Sequence, residues 1–334
     1  MATAAPHRAR ALAAVAAAFA VLLGAGCGKL AVVTTSPKPQ PFTIALAGTP
    51  GPDEAAILVA ETNGYVAATG LETKFLDTQQ PVKALTEQHA DMAIVSEPEL
   101  LEARAHGAQA LAVAALIQRP LSSVITIPTK GSEQHATGRV VGTDGSARSA
   151  AELETIDAAA RAVDVGARLV GSLLTGRMHE TLGATWNYQA LEPALQRKNP
   201  MVEPVDRLGV PTYDGLLLAV RIHDARYRGQ DIRALLLAFA RGQRSVVASP
   251  DAAARIVSAA APGAPPRLVR ESINATLEGR PAGVPWGQMS EVDWHKFGQW
   301  MADHQLISSA PEIDGCTAAR VCPFTNEYLP GEGI

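Results

Sequence analysis

Trp186, Asn187, Tyr188 and Gln189 stand in a row at the end of a short apolar run, "ETLGATW". An indole and a phenol offer flat faces for stacking, and two carboxamides offer both donors and acceptors. That is recognition chemistry for a small planar molecule, not bond-breaking chemistry. In an open α/β sheet such a strand exit is where ligands sit. A lone aromatic here would more often cover the edge of a core. Only 4% of the chain is aromatic, so four adjacent residues of this kind favour a site.

Groups for catalysis are harder to assemble. The chain contains no HExxH, no P-loop and no GxSxG, so the usual metalloprotease, phosphate-cradling and nucleophile-elbow arrangements are missing. The eight histidines are scattered. His179 and Glu180 are neighbours in sequence and so cannot share a helix face. Arg119, just before Pro120, and Arg221 are the basic residues nearest a possible pocket, and both read as surface residues. The expectation is a binding protein without cofactor or metal, not an enzyme.

The elements that must position the aromatic row alternate. "FTIALAG" is a β run, "DEAAILVAETNG" a helix with acidic residues in its first turn, and "LETKFLD" a second strand. "QPVKALTEQH" is helical, "ADMAIVS" a buried strand and "PELLEARAHG" a helix opened by Pro and closed by Gly. "QALAVAALIQ" and "SSVITIP" follow as strands. This rhythm predicts an α/β fold with mixed, mostly parallel sheets and helices on both faces. The polar stretch 128–138 reads as a crossover into a second lobe. "RVVGTDGS" then leads to a helix over 149–163, and "GLLLAVRI" is the return strand. The expected first lobe is 42–128 with 221–334, and the second is 129–220. Further on, Trp294, Phe297, Trp300 and Met301 recur at helical spacing, a core stripe and not a ligand box.

The 334 residues suffice for two domains' worth of core. A charged fraction of 19% and a net charge of −4 give no basic face for nucleic acid. Residues 1–26 read as a lipoprotein signal. Arg8 and Arg10 precede an apolar run too short for an ordinary membrane span, which ends in "LLGAGC" at Cys27. That ending resembles a lipobox, with Leu23 one place off its usual slot. The resemblance implies cleavage before Cys27, a lipid on its sulfur and a location on the outer face of the cell membrane. Residues 27–41, rich in Pro, Ser and Thr, read as a tether. Of the three cysteines, Cys316 and Cys322 remain, and an oxidising compartment would pair them. A zinc site is the alternative, but no His lies nearby at ligand spacing.

Four stretches carry a family resemblance: "GVPTYDGLLLAV" (209–220), "ALIQRPLSSVITIP" (115–128), "LGATWNYQ" (182–189) and "PFTNEYLP" (323–330). Together they resemble the solute-binding lipoproteins of ABC importers that take up thiamine pyrimidine precursors, on a two-lobed type II periplasmic-binding-protein fold. The resemblance implies a monomer that captures a formylamino- or hydroxymethyl-aminopyrimidine between its lobes and hands it to a cognate ABC permease. It implies pocket roles for Trp186, Asn187, Tyr188, Gln189, Ser96, Glu97, Ser122 and Tyr213, and for Asp53 and Glu54 in "AGTPGPDE". The chain departs from the family twice. Gln189 replaces the usual Glu, and Gly48, Gly51 and Glu54 stand where a Trp, an Asn and a His are usual. Other readings are a sulfonate- or taurine-type binding protein, and a pyrimidine-synthase-like enzyme on the same fold.

Overall fold

Two sets of strands, each interrupted by helices, build two sheets joined by their connections and by a shared apolar core. The computed structural model describes residues 38–128, 139–312 and 322–331, and the described residues from Pro39 on belong to one compact unit. The signal, Cys27, most of the tether and Cys316 therefore lie outside the described residues.

In chain order the strands are β1 (Gln40–Leu46), β2 (Leu71–Asp77), β3 (Met92–Val95), β4 (Ala110–Ile117), β5 (Ser122–Thr126), β6 (Val140–Thr143), β7 (Arg161–Asp164), β8 (Glu180–Thr185), β9 (Met201–Pro204) and β10 (Leu216–Arg221). The helices are α1 (Ala55–Thr62), α2 (Pro81–Thr86), α3 (Glu97–Ala105), α4 (Ala147–Asp157), α5 (Leu169–Leu174), α6 (Leu191–Leu195), α7 (Ile222–Tyr227), α8 (Gly229–Ala248), α9 (Pro250–Ala260), α10 (Pro266–Glu278) and α11 (Glu291–Asp303).

The first sheet has the order β2-β1-β3-β10-β4 and the second β7-β6-β8-β5-β9. In the first sheet β1 runs parallel to β2 and β3, and β10 runs antiparallel to β3 and β4. In the second, β6 runs parallel to β7 and β8, and β5 runs antiparallel to β8 and β9. Each sheet thus has one reversed strand, and in each case it is the strand that enters from the other sheet. The mixed, mostly one-way sheets expected from the sequence are present.

The lobe boundaries differ from the expectation. Ser122–Thr126 pairs into the second sheet, not the first, and Leu216–Val220 sits between β3 and β4 in the first. The crossovers are therefore 118–121 and 208–215, not 128–138 and the region of 220. Both misplaced strands are apolar runs whose sheet is decided by pairing across a long sequence separation, which periodicity does not encode. The first strand also starts at Gln40, inside the expected tether.

Helix α11 joins the two halves of the core. Trp294, Phe297 and Met301 are almost fully buried, and Phe297 packs against Tyr213 with ring centroids 4.4 Å apart. Its last turn reaches the second half, where the Trp300 indole N–H donates to Thr155 Oγ1 at 3.0 Å. The stripe is core, as its spacing predicts. The outer edge of β4 is covered by the C-terminal segment: Ala112 N–H donates to Pro323 O and Thr325 N–H to Ala112 O, each at 2.9 Å. Cys322 is buried there and forms no disulfide among the described residues.

Candidate functional site

The two crossovers run side by side and set the geometry of everything between the sheets. Gly215 N–H donates to Ile117 O at 2.8 Å, and a Cβ on Gly215 would sit 2.5 Å from Arg119 O. Only glycine lets the second connection lie this close to the first. Arg119 ties the same place to the second half, its Nη2 lying 2.8 and 3.0 Å from the two carboxylate oxygens of Asp206. The pair is well shielded, with side chains 14% and 16% exposed, so Arg119 is a half-buried linking residue and not the surface residue its sequence suggests.

The aromatic row leaves β8 next to this junction. The Trp186 indole N–H donates to Pro120 O at 2.7 Å. The Arg119 guanidinium carbon stands 5.3 Å from the centre of its ring, a cation–π distance. The ring edge lies against Gly279, the C-cap of α10, where a Cβ would be 2.4 Å from Trp186 Cη2. Asn187 is fully buried. Its Nδ2 donates to Asp53 Oδ1 at 2.6 Å and to Thr276 Oγ1 at 2.9 Å, and its Oδ1 has no partner among the described residues. Trp186 and Asn187 thus carry the second half onto the 3-10 turn Pro52–Glu54 and α10 of the first.

Asp53, which accepts from Asn187, and its neighbour Glu54 are poorly solvated. Burial raises Asp53 to about 6 against the Asn187 hydrogen bond. Burial, and then the neighbouring Asp53 charge, raise Glu54 to about 8. Behind the indole lies a cavity of about 30 Å³ walled by Ala55, Leu116, Val246 and Ile273, room for a water or two and not for a ring.

A far larger cavity, about 880 Å³, opens on the other side of Arg119 and shares Gln118, Arg119 and Gly279–Pro281 with the small one. That volume lies in the range of small-molecule sites. Glu97, Tyr213, Asp214 and Trp294 line it from the first half and Asp206 and Arg207 from the second. Glu97 N–H donates to Asp214 O at 3.1 Å, and Glu97 Oε2 accepts from Asp214 N–H at 2.7 Å. Asp214 Oδ2 accepts the Trp294 indole N–H at 2.8 Å. Burial lifts Asp214 to about 7, and burial together with the Asp214 charge lifts Glu97 well above its ordinary range.

The residues singled out from sequence divide between these places. Trp186, Asn187, Asp53 and Glu54 meet at the contact between the halves, with Tyr188 half-buried beside them. Glu97 and Tyr213 line the large cavity. Gln189 is spent locally: its Oε1 accepts from Thr185 N–H at 3.0 Å, which fixes the turn after β8. Ser96 caps α3 and exchanges bonds with Glu99. Ser122 donates to Glu152 Oε2 at 2.9 Å, and Tyr213 OH lies 3.4 Å from Glu152 Oε1. Glu152 and Asp214 are not singled out by the sequence, and Arg119 reads there as a surface residue, because each acts through residues distant in sequence. Arg221 is structural, donating to Leu85 O and Ala90 O.

Two mixed five-stranded sheets joined by paired crossovers over a central cavity define the class: this is the periplasmic-binding-protein fold. The Escherichia coli periplasmic aliphatic sulphonate binding protein SsuA superposes with a TM-score of 0.62 at 13% identity, over 81% of this chain and 95% of that one. The chain belongs to the NMT1/THI5-like family, whose pattern matches residues 51–253. It is 29% identical over 179 residues to a Haemophilus influenzae protein named for thiamine biosynthesis, a match covering 50% of this chain and 57% of that protein's length. It is 25% identical over 272 residues to the formylaminopyrimidine-binding protein of Halalkalibacterium halodurans, covering 75% of this chain and 81% of that one.

Replacing Gly279→Ala will push Trp186 off α10. The expected result is a loss of about 1–3 kcal/mol in urea unfolding and a larger radius in X-ray scattering; an unchanged radius would show that this contact does not hold the halves together. The raised carboxyls also fix a pH dependence. Asp53, Asp214 and Glu54 hold protons in the folded chain that the unfolded chain loses near pH 4, so their contribution is complete below about pH 4 and is lost as pH rises through about 6, 7 and 8. The melting temperature should fall from pH 5 to pH 8.5, and Asp214→Asn should flatten that slope; equal slopes would contradict the assignment.

Proposed function

We propose that this chain is the lipid-anchored, extracytoplasmic solute-binding protein of an ABC importer. Its solute is an aminopyrimidine of the formylaminopyrimidine or hydroxymethylpyrimidine kind. The observation that carries this reading is the cavity of about 880 Å³ beside the two crossovers. It is placed where small rotations of the two halves would open or close it, as in hinge closure around a ligand. The family and the formylaminopyrimidine-binding relative support the choice of solute.

In this conformation the Trp186 ring is occupied by Arg119 and Gly279. A heterocycle that leans on the indole must therefore enter when the halves part. A sulfonate is the competing solute, favoured by the fold neighbour and by Arg207 and Arg280 on the cavity wall. Six carboxylate residues and three arginines line that wall, and Arg119 is already paired with Asp206. That balance favours a neutral or cationic solute over an anion. The anchor at Cys27 would hold the protein beside its permease and raise the local concentration of loaded carrier.

Thermal-shift measurements on purified protein test the solute. A pyrimidine present at a hundredfold excess over Kd should stabilise by about 2.7 kcal/mol, whereas taurine and alkanesulfonates should not. No response to any pyrimidine rejects the solute. Cys27→Ala should move the protein from the membrane fraction to the soluble one; retention in the membrane rejects the anchor.

A further inference from the structure

Against the wall of the larger cavity, a buried carboxyl oxygen is left without a partner among the described residues. Glu97 is fully buried, yet its Oε1 has no hydrogen-bond partner among the described residues. Its other oxygen is fixed by the Asp214 N–H at 2.7 Å. The Glu97 N–H is fixed as well, donating to Asp214 O at 3.1 Å. Asp214 is held in turn by the Trp294 indole at 2.8 Å. Both carboxyl groups are thus locked in place through one oxygen each, and both line the cavity.

Taking the cavity as the solute site proposed above, we infer that Glu97, backed by Asp214, is the specificity-determining acceptor for an amidine-type N–H edge on the solute. Such an edge, a ring N–H beside an exocyclic amino group, can give two parallel hydrogen bonds to one carboxylate, the strong bidentate arrangement. A buried polar atom left unpaired carries its full desolvation cost. A donor edge removes that cost, and a protonated edge also neutralises two neighbouring acids. Burial, then the Asp214 and Asp293 charges, raise the proton affinity of Glu97, while burial and the Asp293 charge raise that of Asp214. A carboxylate or sulfonate on the solute would instead bring a further negative charge to the same place. The subsite therefore selects amidine-like and 4-aminopyrimidine-like heterocycles, and it selects against anions.

Calorimetric titration of the full protein with benzamidine, 4-amino-5-hydroxymethyl-2-methylpyrimidine and methanesulfonate tests this. The wild type should bind both amidine-edge probes at least about tenfold more tightly than methanesulfonate. Glu97→Gln keeps an acceptor for the Asp214 N–H but presents an amide in place of the carboxylate. It should weaken both amidine-edge probes by about ten- to a hundredfold, with methanesulfonate unchanged or improved. Asp214→Asn, which retains an acceptor for the Trp294 indole, should weaken them less and serves as the second variant should Glu97→Gln not fold. Binding of benzamidine without the pyrimidine upholds the subsite and rejects the thiamine-precursor solute. Binding of the pyrimidine with no loss in Glu97→Gln upholds the solute and overturns the subsite. A wild type that prefers methanesulfonate, or binds neither amidine-edge probe, overturns the inference.

Discussion

Two stretches of chain, 118–121 and 208–215, must pass between the halves within van der Waals reach of each other, and the architecture follows from that constraint. Where they touch, the backbone of one leaves no room for a side chain on the other at Gly215. The approach fixes the reversed strands β10 and β5 in their sheets and places Arg119 over the Trp186 ring. It also puts Tyr213 and Asp214, at the end of the second crossover, against α11 and the large cavity.

The junction is stocked with groups that a stability-driven core would avoid. Asp53, Glu54, Glu97, Glu152 and Asp214 all sit where burial raises their proton affinity. Most of their oxygens find a backbone N–H, a hydroxyl or an indole; Glu97 Oε1 and Asn187 Oδ1 find nothing among the described residues. Unsatisfied polar groups of this kind collect at functional sites, where the stability they cost is recovered on binding. The carboxyls of the 3-10 turn and those of the large cavity lie on either side of Arg119, whose own charge is held by Asp206.

Much of this was legible in the sequence, for a physical reason. Strand and helix periods are local, so the βα alternation, the strand before Trp186 and the aromatic stripe of α11 could all be read directly. Sheet membership is a pairing across dozens of residues, and it was misjudged for β5 and β10, whose apolar runs suit either sheet. For the candidate site, too, local neighbours could be read and distant partners could not. The structure brings Asn187 of the aromatic row against Asp53, while Gln189 turned inward to hold its own turn at Thr185. Arg119 looked like a surface cation because nothing local shows that Asp206, 87 residues away, will pair with it.

The strap of residues 323–325 along the outer edge of β4 bears on how the chain assembles. The second sheet draws all five of its strands from one uninterrupted stretch, 122–204, and can close as soon as that stretch has left the ribosome. The first sheet begins with the earliest strand, waits for β10, and keeps an unprotected edge until the C-terminal segment is synthesised. An uncovered edge strand invites pairing with other chains. The nascent protein is therefore most prone to aggregate in the interval after its second half has formed, and the segment 323–325 is what ends that exposure.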